Sequence, residues 1–182
     1  MKRLNKNNKG FTLIELLAVI VILGVLMIIA VPMVTQYITS AKKGAFVSTA
    51  KAYVSSARYA YLNGDYTCTG DSIDTGAGGS LYIPFSDIEV DKTGGKSSFS
   101  QPIDKNNSYV VITSDPDGRY TYYVRMIDGG KNGWDKGINE EDLVKQNVKT
   151  NSAVTTTEIG TYTVDKTDKK ATSKCTQSKT IN

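Results

Sequence analysis

The apolar positions of this chain change their spacing along its length. From Leu16 to Val34 they are continuous, broken among large side chains only by small residues and Pro32. From Phe46 to Tyr61 they recur in steps of three and four: Phe46, Ala50, Tyr53, Ala57 and Tyr61, with Val54 and Ala60 widening the stripe. Lys43, Ser48, Lys51, Ser55 and Arg58 occupy the opposite side. From Tyr109 to Ile127 the apolar positions alternate. The first pattern predicts a helix apolar all round, the second an amphipathic helix, the third an antiparallel hairpin. The helical pattern continues from the first segment into the second, so one helix is expected from about Thr12 to Leu62, closed by Asn63-Gly64. At 1.5 Å per residue it would be roughly 75 Å long.

The hairpin comprises Tyr109–Thr113, the turn Asp115-Pro116-Asp117-Gly118 and the return strand Arg119–Ile127. Pro at the second position and Gly at the fourth suit a tight turn. Tyr120, Tyr122, Val124 and Met126 face one way; Thr121, Tyr123, Arg125 and Ile127 face the other. The apolar face needs a cover, and the stripe on the long helix provides one. Residues 64–108 read as a long irregular connection in which Leu81-Tyr82-Ile83 and Ile88-Glu89-Val90 are short strands or docking points. Beyond the hairpin come a Gly129–Gly133 loop and a short helix capped by Asn139 and ending near Asn147, its entry stapled by Ile138 and Leu143. A strand over Glu158–Val164 and a polar tail from Asp165 complete the chain. The fold class expected is α+β: a long N-terminal α-helix, one half membrane-spanning and one half amphipathic, packed on a C-terminal antiparallel β-sheet.

Charge sharpens the N-terminal picture. The chain has 22 Lys and Arg against 18 Asp and Glu. Lys2, Arg3, Lys6 and Lys9 account for the whole excess, leaving 18 of each sign after residue 10. The excess belongs to a basic flank that would stay on the cytoplasmic side of a membrane. No electrostatic footprint for nucleic acid remains. Counted from Phe11 the apolar span runs 24 residues, or about 36 Å, enough to cross a bilayer with some tilt. Pro32 removes a backbone donor and disrupts the helix locally, and Gly24 weakens it.

Candidate chemistry is sparse. There is no histidine, which excludes the usual Ser or Cys triads and the commonest metal ligand. Gly95-Lys96-Ser97 lacks the upstream glycine of a phosphate loop, since Val90 stands there. Asp128, Asp135, Glu140, Glu141 and Asp142 surround a Gly-rich loop without calcium-loop spacing, so no metal or other cofactor is expected. Asn106-Asn107-Ser108 matches a glycosylation sequon, read here as incidental. The eleven tyrosines are mostly packing residues. Cys68 and Cys175 are too far apart for a CxxC motif. If the C-terminal part is exported, they could form one disulfide.

One stretch remains unexplained: Lys9-Gly10-Phe11-Thr12-Leu13-Ile14-Glu15. A secretory signal places its cut after the apolar core. Here the small residue, Gly10, precedes it, and a lone carboxylate sits just inside the span. At a helix centre such a charge would cost roughly 2.5–3.5 kcal/mol.

This junction, with Gly24, Pro32 and the continuing amphipathic helix, resembles the class III leader junction of type IV pilins and pseudopilins, of type IVa-like, Gram-positive character. The resemblance covers the leader and the span through Val34; beyond it only the order helix, loop, antiparallel sheet is shared. It implies five parts: a leader over 1–10, a transmembrane and filament-core half over 11–34, an amphipathic half over 35–63, an αβ-loop over 64–108, and a sheet and C-terminal region over 109–182. It implies cleavage by a prepilin peptidase between Gly10 and Phe11 and N-methylation of Phe11. It implies that Glu15 pairs with the new amino terminus of a neighbouring subunit, setting register, and that the Gly24–Pro32 segment loses helical structure on assembly. The implied partners are copies of the chain itself, the peptidase, an assembly ATPase with its membrane platform, and lipid before assembly. The implied location is a single-pass membrane precursor and then an extracellular pilus used in adhesion, motility or aggregation. A pseudopilin of a type II secretion or DNA-uptake system, or an anchored binding domain that never polymerises, are the alternatives.

Overall fold

A computed structural model describes residues 10–68, 79–88, 90, 94–114, 117–150, 154, 171–173 and 176–177; at 67, 68, 79, 80, 171–173, 176 and 177 it describes the backbone alone. The expected strand at Glu158–Val164 lies outside the described residues, as do Asp115 and Pro116 of the hairpin turn. The chain divides into two compact units, Met1–Ser40 and Ala41–Asn182.

Helix α1 spans Leu13–Leu62 without a break, through both Gly24 and Pro32. Its end follows from Gly64, whose φ of 78° only glycine adopts without strain. The Asp65 N–H reaches the Ala60 carbonyl at 2.9 Å and the Gly64 N–H reaches the Tyr61 carbonyl at 3.0 Å. These two bonds form a Schellman motif, which satisfies carbonyls the helix end would leave bare.

Among the described residues of the second unit, seven strands follow: β1 (Tyr66–Cys68), β2 (Gly79–Pro84), β3 (Tyr109–Ser114), β4 (Tyr120–Arg125), β5 (Ile138–Asn139), β6 (Ala171–Ser173) and β7 (Thr176–Gln177). Five form an antiparallel sheet in the order β5-β4-β3-β2-β7, while β1 and β6 pair in parallel. The hairpin pairs Tyr109 with Arg125 and Ser114 with Tyr120. Segment 64–108 is therefore more than a connection: Leu81–Ile83 lies in a strand interior to the sheet, and Ile88 is buried in the core.

The helix stripe and the sheet close on each other. Phe46, Val47, Ala50, Tyr53, Val54 and Ala57 pack with Leu81, Ile83, Phe85, Val110, Ile112, Tyr122 and Val124. Tyr53 stacks on Phe85 with ring centroids 3.7 Å apart. Phe46 meets Trp134 at 5.3 Å and Phe99 at 5.7 Å. Each such ring, taken fully from water, contributes about 1.5–3 kcal/mol.

The alternation along β4 is as expected, but its second face is not open. Arg125 is only 1% exposed. Its Nε donates to the Trp134 carbonyl and its Nη1 to the Asn107 carbonyl, both at 3.3 Å. Segment 133–137 crosses this face, so close that a side chain at Gly137 would touch Tyr109 and Tyr123.

The short α-helix expected over 139–147 does not form. Ile138 and Asn139 pair with Val124 and Tyr123 as β5, which holds the backbone extended through Asn139. Two 3-10 turns follow, Glu140–Asp142 and Lys145–Asn147. Between them Leu143 is buried in the core with extended backbone angles, so the helical path cannot continue. Asn139 does cap the first turn, accepting from the Glu141 N–H at 3.0 Å.

Candidate processing and assembly site

The site lies at the first turn of α1. Thr12 is the last residue outside the helix, and its carbonyl accepts the Leu16 N–H at 3.2 Å. Glu15 folds back: its Oε2 accepts from the Thr12 N–H at 2.8 Å and from the Thr12 hydroxyl at 2.9 Å. The Thr12 Oγ1 in turn accepts from the Glu15 N–H at 3.3 Å. This reciprocal pair is a capping box, and it satisfies donors that the helix start would leave bare. The sequence expectation for Glu15 concerns a Phe11 amine, within the subunit or on a neighbour, and does not include Thr12. The signal was present, since Thr12-Leu13-Ile14-Glu15 has capping-box spacing.

Gly10 and Phe11 precede the cap in irregular backbone, and Phe11 is 91% exposed. A Cβ at Gly10 would meet nothing within 4 Å, and the same holds at Gly24. The fold of the single chain therefore asks for glycine at neither position.

Every large apolar side chain from Phe11 to Ile38 is exposed, by 46% to 91%. α1 is long and apolar enough here to cross a membrane. A helix apolar on all sides has to be surrounded by lipid or by other apolar surface. Just beyond Pro32, the hydroxyls of Thr35 and Thr39 bond the carbonyls of Val31 and Thr35, both at 2.9 Å. Such back-bonds compete with the helix ladder and soften it locally.

The other candidate residues are spread through the second unit. Asp128 is buried under the Ser97 hydroxyl at 2.6 Å, the Gly130 N–H at 3.0 Å, the Asn132 N–H at 2.9 Å and the Asn132 amide at 2.9 Å. Its carboxylate holds a loop closed. Asp135 pairs with Lys149, and Glu140 pairs with Arg58. Among the described residues no group of three or more His, Cys, Asp or Glu could hold a metal. Gly94 and Gly95 form a turn with φ of 55° and 74°, and the adjoining Ser97 serves Asp128. Cys68 lies opposite Ser173 in the β1–β6 pair; Cys175, and with it the expected disulfide, falls outside the described residues.

A carboxylate at the head of an uncovered apolar helix, just after an exposed Gly-Phe pair, fits a membrane-anchored precursor. The prokaryotic N-terminal methylation motif matches residues 5–31. That motif is the class III leader signal of type IV prepilins, and it supports a type IV pilin-like protein. Such a leader implies processing by a prepilin peptidase and handling by pilus-assembly machinery. Searches of curated proteins and of solved structures return no match to the chain.

Proposed function

We propose that this chain is a structural subunit of an extracellular type IV pilus and not an enzyme. Peptidase cleavage after Gly10 frees the Phe11 amine, which is methylated. The apolar half of α1 then exchanges lipid for the same segment of sister subunits. The observation that carries this reading is the first half of α1, uncovered over its whole circumference and headed by the Glu15 carboxylate. An ammonium and a carboxylate are both costly in hydrocarbon and offset each other when paired. In a staggered stack, Glu15 meets the amine of a neighbour and so sets register. The stretch from Gly24 to Pro32, with weak helix formers at both ends, unravels as the stack tightens. Adhesion, surface motility or aggregation then follow from the fibre.

The test is the Glu15→Gln variant beside wild type, with intact masses of cell-bound and sheared material and a map of any filament. Wild type yields filaments beginning at methylated Phe11, unravelled between Gly24 and Pro32. The variant is cut after Gly10 but yields no filaments. Normal variant filaments would overturn register-setting by Glu15. Wild-type chain found only in membranes, never in fibres, would overturn the pilus reading in favour of a pseudopilin.

A further inference from the structure

α1 carries four cations, Lys42, Lys43, Lys51 and Arg58, and one acid, Glu15. No acidic residue occurs from Leu16 to Gly64. The helix therefore has none of the acid–base pairs at i, i+4 that usually dress an exposed helix surface. Arg58 reaches across to Glu140. Lys42 and Lys43, little more than two turns beyond Val34, have no such recourse.

The same end of the second unit gathers more lysines. The Ser98 hydroxyl donates to the Lys42 carbonyl at 2.7 Å, and Phe99 packs on Phe46. These contacts seat the loop bearing Lys96 at the start of the amphipathic segment. The Gly129 N–H reaches the Pro102 carbonyl at 2.8 Å and the Asp104 N–H reaches the Ile127 carbonyl at 2.9 Å. They bring Lys131 and Lys105 into the same layer. Lys42, Lys96, Lys105 and Lys131 are exposed and Lys43 is half-buried. Of the acids of this layer, Asp128 is buried among its donors, and the half-buried Asp104 is held by the Asn106 and Asn107 N–H groups, each at 3.2 Å. No ion pair joins any of the five lysines to a described acid. The opposite end, where Tyr61 meets Tyr120, exposes both signs: Asp65, Asp117 and Arg119.

We propose that Lys42, Lys43, Lys96, Lys105 and Lys131 form a collar for anionic phospholipid headgroups, on which the second unit rests while the apolar span is still in the bilayer. This rests on the membrane reading of the span. Three features favour lipid as the occupant. The collar follows closely on the apolar run in sequence, lysines dominate its exposed charge, and the exposed Tyr37 and Ile38 come between run and collar in the sequence, where aromatic residues favour the membrane interface. A lysine near an anionic surface gains about five-fold in binding, an effect that salt removes.

The test places the full chain in vesicles of phosphatidylcholine, or of phosphatidylcholine mixed equally with phosphatidylglycerol. A membrane-impermeant amine reagent labels the outer face, and mass spectrometry reads each lysine. The collar lysines should label several-fold more slowly in the anionic vesicles and recover in high salt, with Lys51 and Lys136 unchanged. The same rate in both vesicles, with the chain inserted, would overturn the collar alone. A chain that fails to insert would overturn the membrane reading and the collar with it. Protection seen only in assembled filaments would assign these lysines to acids of a neighbouring subunit, and would also overturn the proposal.

Discussion

Leu23 and Phe46 lie on one unbroken helix, yet Leu23 is 48% exposed and Phe46 has no exposed surface. Around Phe46 the sheet, Phe99 and Trp134 supply partners from the same chain. Around Leu23 the described residues leave the side chain open. The second half of α1 answers to a core that is already present; the first half answers to whatever surrounds it. Substitutions in the two halves should therefore be felt in different assays.

The largest contrast is between Phe46→Ala and Leu23→Ala. Removing the Phe46 ring leaves a cavity beneath Trp134 and should destabilise the second unit by about 3–5 kcal/mol. Leu23→Ala should change the same unit by under roughly 0.5 kcal/mol, the usual range for exposed sites. Thermal unfolding of the detergent-solubilised chain, followed by Trp134 fluorescence, reads both. Equal losses would erase the distinction drawn here.

Two glycines sharpen it further. A Cβ at Gly133 would lie 2.0 Å from the Met126 carbonyl oxygen, at a φ of 141°. Gly133→Ala should cost upwards of about 2 kcal/mol in that assay. Gly24→Ala, which meets nothing within the chain, should leave the subunit unchanged.

The smallest effect is confined to the second unit and depends on pH. Burial, reinforced by the charges of Asp87 and Asp65, pushes the Tyr66 hydroxyl up to about 12; it donates to the Asp87 carbonyl at 2.8 Å. The unfolded tyrosine loses its proton near pH 10, while the folded one keeps it. Stability from this group is full below about pH 10 and is lost as pH rises toward 12. Tyr66→Phe should cost about 1 kcal/mol at neutral pH through the lost hydrogen bond and should flatten the alkaline decline. Tyr53, raised by burial as well, leaves a residual slope. Chemical denaturation at neutral and alkaline pH, in both proteins, measures the difference.

These contrasts also mark what could be read from residue order. The helix, its Gly64 end and its Phe46–Tyr61 stripe were legible because they rest on local periodicity and a positive-φ glycine. The β3–β4 hairpin was legible for the same reason. β2 was only half visible, as Leu81–Ile83, because membership of the sheet depends on β3, a long way along the chain. The helix expected at 139–147 failed on a tertiary fact: Val124 claims Ile138, and the core claims Leu143. The alternation places Arg125 on the face away from the helix but carries no information about segment 133–137 crossing above it. At the candidate site, Gly10, Phe11 and Glu15 stood out by charge and placement. The Thr12 cap is less legible, because the cost of a carboxylate in an apolar span points to a cationic partner before a local hydroxyl.

That cap has a consequence for how the precursor is recognised. A protease grips its substrate as extended backbone, with amide groups free to bond the enzyme. A bond wound into a helix offers no such groups. By starting α1 at Leu13, the Thr12–Glu15 pair keeps the Gly10–Phe11 peptide on the unwound side and everything after it out of reach. If the peptidase cuts here, as proposed, the hydrogen bonds that begin the rod also keep the cut from moving further along.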